Sequence, residues 1–171
     1  EIPESLDKLK EKATLPPVRQ PEGLHASLRN YQLEGFSWLW YLRKNGFGGC
    51  LADDMGLGKT LQAIAVLLKN KEEAGTPDTG QPVQKGQLSL FENSASSGAA
   101  SLIVVPASLL HNWKNELIRF APSLKIYLHA GMNRIRTTGM FSAYDLVLST
   151  YHTVRQDMEF LSAYRFNYII L

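Results

Sequence analysis

Two aspartates, two glycines, a lysine and a threonine crowd into one short stretch, "DDMGLGKT", Asp53 to Thr60. A polyphosphate carries several negative charges in a small volume, and these residue types suit it. Glycines let the backbone curl until successive N–H groups point inward as an anion nest. A helix beginning near Gly58 adds the positive end of its dipole. The Lys59 ammonium reaches the β- and γ-phosphates, and the Thr60 hydroxyl can ligate Mg²⁺. The strict phosphate-loop pattern asks for glycine, four residues, then Gly-Lys-Ser/Thr. Gly58, Lys59 and Thr60 satisfy it, whereas Asp53 stands at the first glycine position. The bland alternative is a glycine-rich turn carrying a surface lysine.

Such a loop works only if elements on either side hold it. Gly48 to Ala52 is a short strand candidate leading in, and Leu61, Ile64, Ala65 and Leu68 share the face of a helix leading out. Upstream, Tyr31 to Lys44 reads as a helix with Leu33, Phe36, Leu39 and Trp40 on one side. Asn30 is its expected N-cap and Asn45-Gly46 its expected stop. Downstream come strand candidates "SLIVVP", "LKIYLHA", "DLVLS" and "NYIIL". Between them lie a helix with Leu110, Trp113, Leu117 and Phe120 on one stripe, a helix around Met132–Ala143, and a helical or turn segment from Tyr151. Trp113 falls on the packing side. Short apolar strands alternating with amphipathic helices predict βαβ units and a parallel sheet covered on both faces. Ligands of such sheets gather at the carboxyl ends of the strands, where the glycine-lysine stretch falls.

Composition bounds the rest. The chain has 171 residues, 44% of them hydrophobic, and a formal charge of +2. That is enough for one sizeable core, and any nucleic-acid binding must rely on local placement of charge. No apolar run approaches the roughly 20 residues of a membrane span. The single cysteine, Cys50, cannot pair internally and suits a reducing, intracellular setting. Residues 1–27 read as a lead-in with a short helix-like "ESLDKLKEK" and a proline-broken segment, and 28–171 as the lobe proper. Residues 70–100, rich in Gly, Ser, Pro and Gln without sustained period, read as a flexible insertion in the lobe. His25, His111 and His152 show no ligand spacing, and Arg134 and Arg136 are either added charge or a solvated face.

"LADDMGLGKTLQAIA" resembles the phosphate-loop motif of SWI/SNF-type ATPases, the DNA-translocating branch of helicase superfamily two, in which an acidic residue commonly stands where Asp53 does. The resemblance runs from about Leu24 to Leu171. "LRNYQLEGFSWL" is similar to the family's upstream glutamine motif, "LIVVPASLLHNWKNELIRFAP" to its next helicase motif, and "LVLSTYHTV" to another. It implies a three-layer α/β, RecA-like P-loop NTPase lobe with a mostly parallel central sheet, cut short before an acidic box that would follow "FNYIIL". A second RecA-like lobe of the same protein would complete the site.

The resemblance also implies roles. Lys59 and Thr60 are the expected catalytic pair. Asp54, Met55, Gly56, Leu57, Gly58, Lys59, Thr60 and Leu61 are the expected ATP loop, with Thr60 holding Mg²⁺ through the nucleotide. Gln32 is expected at the adenine edge, which its carboxamide can match with an acceptor and two donors, and Arg29 and Tyr31 beside the base or sugar. Pro106, Ala107, Ser108, His129, Gly131, Thr150 and Tyr151 are expected along a track for double-stranded DNA, with Ser108 capping its helix. "QLSLF", Gln87, Leu88, Ser89, Leu90 and Phe91, resembles the linear motif by which bacterial proteins dock on the replication sliding clamp; a chance string in a flexible loop is its alternative. The implied setting is the bacterial cytoplasm beside the nucleoid, or the nucleus of a eukaryote. Two other functions stay open: a nucleotide-responsive DNA- or protein-binding module without catalysis, and an RNA helicase lobe.

Overall fold

The computed structural model describes residues 17–54, 56–75, 99–132 and 134–171. The helix-like "ESLDKLKEK", Met55 and the clamp-like Gln87–Phe91 lie outside them.

Helix α1 spans Asn30–Lys44. Its N-cap is Arg29 rather than Asn30, because the chain enters helical geometry one residue earlier than expected. Arg43 and Lys44 close the last turn, where the dipole favours cations, and Gly46 follows at φ 73°. Helix α2 spans Lys59–Gly75. Ile64, Ala65, Val66, Leu67 and Leu68 are all buried, so this helix lies deep in the lobe. Its last turn carries Glu72, which accepts the Gly23 N–H at 3.2 Å, and Glu73, which meets Lys44 at 2.6 Å. Those contacts carry the helix through residues 70–75, which composition had placed in the insertion.

Strands β1 (Ser101–Val105), β2 (Ile126–His129), β3 (Leu146–Thr150) and β4 (Ile169–Ile170) form one sheet in the order β2-β3-β1-β4. Every pairing is parallel. Between β1 and β2 lie a 3-10 turn at Ala107–Leu109 and helix α3 (Leu110–Phe120). Helices α4 (Tyr151–Gln156) and α5 (Met158–Ser162) follow β3.

Side-chain alternation along the strands builds two cores. Ile103, Val105, Leu146 and Leu148 pack with Phe36 and Trp40 of α1, the buried row of α2, and Leu117 of α3. Leu102, Val104 and Val147 point the other way, onto Phe141 and Leu161. Phe141 sits among Tyr127, Phe160, Tyr164 and Phe166, with ring centroids 5.2–6.0 Å apart. Both faces are therefore covered, and the lobe has the expected three layers. Residues 18–28 join the first core through Val18, Leu24, Ala26 and Leu28, so the end of the lead-in packs on the lobe.

Two expected elements differ. Gly48–Ala52 forms no strand. It has no ladder partner among the described residues, and Gly48 and Gly49 at its head favour neither strand nor helix. The helix expected over Met132–Ala143 is a 3-10 segment, Thr138–Ala143. Thr137, Thr138 and Gly139 are poor α-helix formers, and the segment is held instead by burial of Phe141.

Candidate functional site

The phosphate loop lies between the extended segment ending at Asp54 and the first turn of α2. Gly56 and Gly58 take φ values of 85° and 78°, a region that L side chains rarely adopt. These two reversals lead the chain from the extended segment into the first turn of α2, whose first N–H groups have no intrahelical partner. Within it, Lys59 Nζ donates to the Asp53 carbonyl at 2.6 Å and to the Asp54 carbonyl at 2.8 Å. The lysine bridges its own loop. At the first glycine position Asp53 thus contributes a backbone carbonyl to the Lys59 contact. Thr60 and Leu61 are half-buried in the first turn, and Leu57 and Asp54 are exposed. A basic side chain, unpaired helical N–H groups and a hydroxyl at one helix start fit a nucleoside polyphosphate with its cation. Among the described residues no His, Cys, Asp or Glu cluster could hold a metal ion by itself.

Gln32 touches this loop directly. It is buried, its Oε1 accepts the Arg29 N–H at 2.9 Å, and its Nε2 donates to the Leu57 carbonyl at 3.1 Å. The carboxamide therefore staples the start of α1 to the phosphate loop, leaving one N–H for any further partner. A Cβ on Gly58 would come against Gln32 Nε2, so a side chain there is strained by the backbone φ and would push the Gln32 amide aside. Arg29 is exposed at the helix start. Tyr31 and Leu57 line a cavity of about 600 Å³ between α1 and residues 50–53.

The three longer strands end level with one another, because Val105 pairs with Thr150 and His129 with Ser149. The loops that follow them leave the same sheet edge. Pro106, Ala107, Ser108 and Gly131 are exposed there, as is Tyr151. Ser108 lies inside the 3-10 turn and makes no capping bond, since the chain enters α3 through Leu109. Thr150 is buried, and its Oγ1 caps α4 by accepting the Thr153 N–H at 3.2 Å.

His129 corrects the expectation most sharply. It is fully buried, so its ring cannot meet a DNA backbone at the surface. Its Nε2 donates to Asp157 Oδ2 at 2.9 Å, while Nδ1 is buried without a partner. Burial first, and then the nearby guanidinium charges, hold its pKa below the ordinary value despite the carboxylate, so the ring is neutral. Asp157 is the hub. Arg134 Nε binds its Oδ2, Arg134 Nη2 its Oδ1 at 3.0 Å, and Arg136 Nε its Oδ1 at 3.0 Å. The Arg134 hydrogen bond is the main reason its pKa is pulled down to about 2. Arg134 also donates to the Gly131 carbonyl at 2.6 Å and to Gln156 Oε1 at 2.9 Å. Asp157 escaped sequence reasoning because nothing in a lone acidic residue of a helical stretch announces partners 21 to 28 positions away.

Residues 31–171 match the SNF2-related domain. The chain is 38% identical over 167 residues to a putative ATP-dependent helicase/translocase, YwqA, of Bacillus subtilis, covering 96% of this chain and 16% of that protein. It is 34% identical over 157 residues to the TATA-binding protein-associated factor MOT1 of Saccharomyces cerevisiae, covering 91% of this chain and 8% of that protein. Among solved structures, the SWI2/SNF2 ATPase core of Sulfolobus solfataricus in complex with double-stranded DNA superposes with a TM-score of 0.70 at 35% identity. That match covers 90% of this chain and 27% of the other. The chain thus spans a small part of the relatives it matches.

Proposed function

The chain belongs to the SNF2-related domain family, and from that premise we propose that it is the ATP-binding part of the first RecA-like lobe of a motor that couples ATP hydrolysis to movement along double-stranded DNA. One observation carries the reading. The Gly56–Gly58 turn, bridged by Lys59, sits at the head of α2, beside Gln32 and in a lobe whose strand-end loops share one edge.

In this reading the loop N–H groups from Gly56 to Thr60 hold the phosphates. Lys59 exchanges its two carbonyl partners for β- and γ-phosphate oxygens. Both Lys59 partners are uncharged and exposed to solvent, so the exchange breaks no buried ion pair. Thr60 is the ligand this chain offers to Mg²⁺, which would neutralise charge on the phosphates when bound. Gln32 uses its remaining N–H toward the base, with Arg29 and Tyr31 at the same helix start. Ala107, Ser108, Gly131 and Tyr151 line the duplex through main-chain and hydroxyl donors, with Pro106 setting the turn that presents them. In this reading the acidic box and second lobe that the family implies activate water and close the cleft in the full-length protein.

The testing experiment measures phosphate release by the full-length protein alone, with duplex DNA and with RNA. Stimulation by duplex DNA that disappears in Lys59→Ala is expected. Stimulation by RNA instead of duplex selects an RNA helicase, and nucleotide binding without turnover selects a switch module. The YwqA and MOT1 relatives come from a bacterium and a eukaryote, so the working compartment is the nucleoid or the nucleus according to source. For Gln87–Phe91 the proposed partner is a bacterial sliding clamp, and a Gly86–Asn93 peptide that fails to bind one removes it.

A further inference from the structure

We propose that Arg136 is a phosphate-reading residue for duplex DNA, and that Asp157 is the positioning residue that holds it in place. The proposal rests on the motor reading above.

Asp157 has two oxygens and more donors than it can neutralise. Oδ2 takes His129 Nε2 and Arg134 Nε, Oδ1 takes Arg134 Nη2, and Arg136 Nε stands 3.0 Å from Oδ1 as an ion pair. With His129 neutral, two guanidinium groups face one carboxylate, and one positive charge is left over. The leftover charge has a definite location. Arg134 is nearly enclosed and uses Nε, Nη1 and Nη2 on Asp157, the Gly131 carbonyl and Gln156. Arg136 approaches Asp157 only through Nε, as an ion pair at 3.0 Å; its side chain is 62% exposed, and its two terminal nitrogens make no hydrogen bond among the described residues. Its guanidinium is drawn to Asp157 by charge on one side and is open to solvent on the other, so a phosphate oxygen pair can reach it.

The hub also fixes where that open edge lies. Through Arg134 and His129 it ties residues 129–136, which leave the end of β2, to the α4–α5 junction after β3. Gly131 makes the reversal at φ 83°. The loop is thereby held at the same sheet edge as the exposed Pro106–Ser108 turn and Tyr151. A carboxylate that is itself 1% exposed cannot touch DNA, so its role runs through the arginines.

The test uses the full-length protein with Arg136→Gln and Asp157→Asn, and measures duplex-stimulated ATPase against DNA, ATP and salt concentration. Arg136→Gln should raise the DNA concentration for half-maximal stimulation about 10-fold and lower the salt slope by about one, with the KM for ATP unchanged. Asp157→Asn adds a net positive charge, so a purely electrostatic role would tighten DNA binding. Positioning predicts the opposite sign: weaker DNA binding at an unchanged KM for ATP. Intact stimulation with an unchanged slope in Arg136→Gln overturns the Arg136 role alone. Tighter or unchanged DNA binding in Asp157→Asn overturns the positioning role. A wild-type protein that ignores duplex DNA overturns this proposal together with the motor reading.

Discussion

Two polar corners sit on this lobe, and they hold charge in opposite ways. At the phosphate loop, the Lys59 ammonium rests on two exposed carbonyls of its own loop. At the Asp157 hub, a carboxylate is sealed from solvent by a histidine and two arginines. The first arrangement is replaceable, because neutral partners in water are given up cheaply. The second is not, because removing one partner strands a buried charge. On the proposed reading, a lysine that changes partners when nucleotide binds belongs in the first kind of place, and a brace that stays put belongs in the second.

The largest effect should appear at the brace. Asp157→Ala leaves Arg134 and the buried His129 facing an empty centre, and we expect a loss of about 3–5 kcal/mol in stability. Chemical denaturation of the full-length protein checks it, and a loss under about 1 kcal/mol would show that solvent already screens the hub. Lys59→Ala should do the reverse. Duplex-stimulated turnover should fall by at least about 10²-fold, the scale on which a single transition-state donor acts. The melting temperature should barely change, since only two exposed hydrogen bonds are lost. Equal damage to stability in both variants would erase the distinction between the corners.

Gly58→Ala falls between them. The site has φ 78°, and the new Cβ meets Gln32 Nε2. Strain of about 1–3 kcal/mol is expected. Displacing Gln32 also frees the Leu57 carbonyl, so nucleotide affinity should drop further than stability. A variant with weakened stability and normal nucleotide affinity would show that the Gln32 staple does not shape the loop.

This contrast was partly legible in the residues. The turn at "GLGKT" was legible because it is local: the two glycines take positive φ, and the lysine and hydroxyl are their neighbours in the chain. β1 and β3 were legible because a strand buried on both faces must be an unbroken apolar run. The hub was invisible because its partners meet only after β2, β3 and the helices after β3 have assembled. His129 was drawn to the surface by its motif and is buried by its strand register. Gln32 kept its motif but also acts as a staple, which a sequence cannot distinguish from a ligand contact. Gly48–Ala52 had a strand's composition but no partner among the described residues, and pairing is what makes a strand.

The smallest effect, and the one that separates the hub's two titrating members, is in pH. Asp157 falls from an ordinary 3.8 to about 2 in the folded protein, mainly through Arg134, with His129 and Arg136 adding to it. Its contribution is therefore complete above pH 3.8 and is lost as pH drops toward 2. His129 is also shifted down, but it is a base, and the cause is burial, with Arg134 and Arg136 opposing its charge and Asp157 favouring it. The unfolded chain takes up its proton near 6.5 and the folded chain resists, so stability begins to fall below that pH. Melting temperature against pH should show two acid limbs, one starting below 6.5 and one below 3.8. His129→Phe should remove the upper limb and keep the lower, since the ring sits among Tyr127, Phe141 and Phe160 with centroids about 6 Å away. An upper limb that survives His129→Phe would assign it to another histidine and leave the hub a single carboxylate switch.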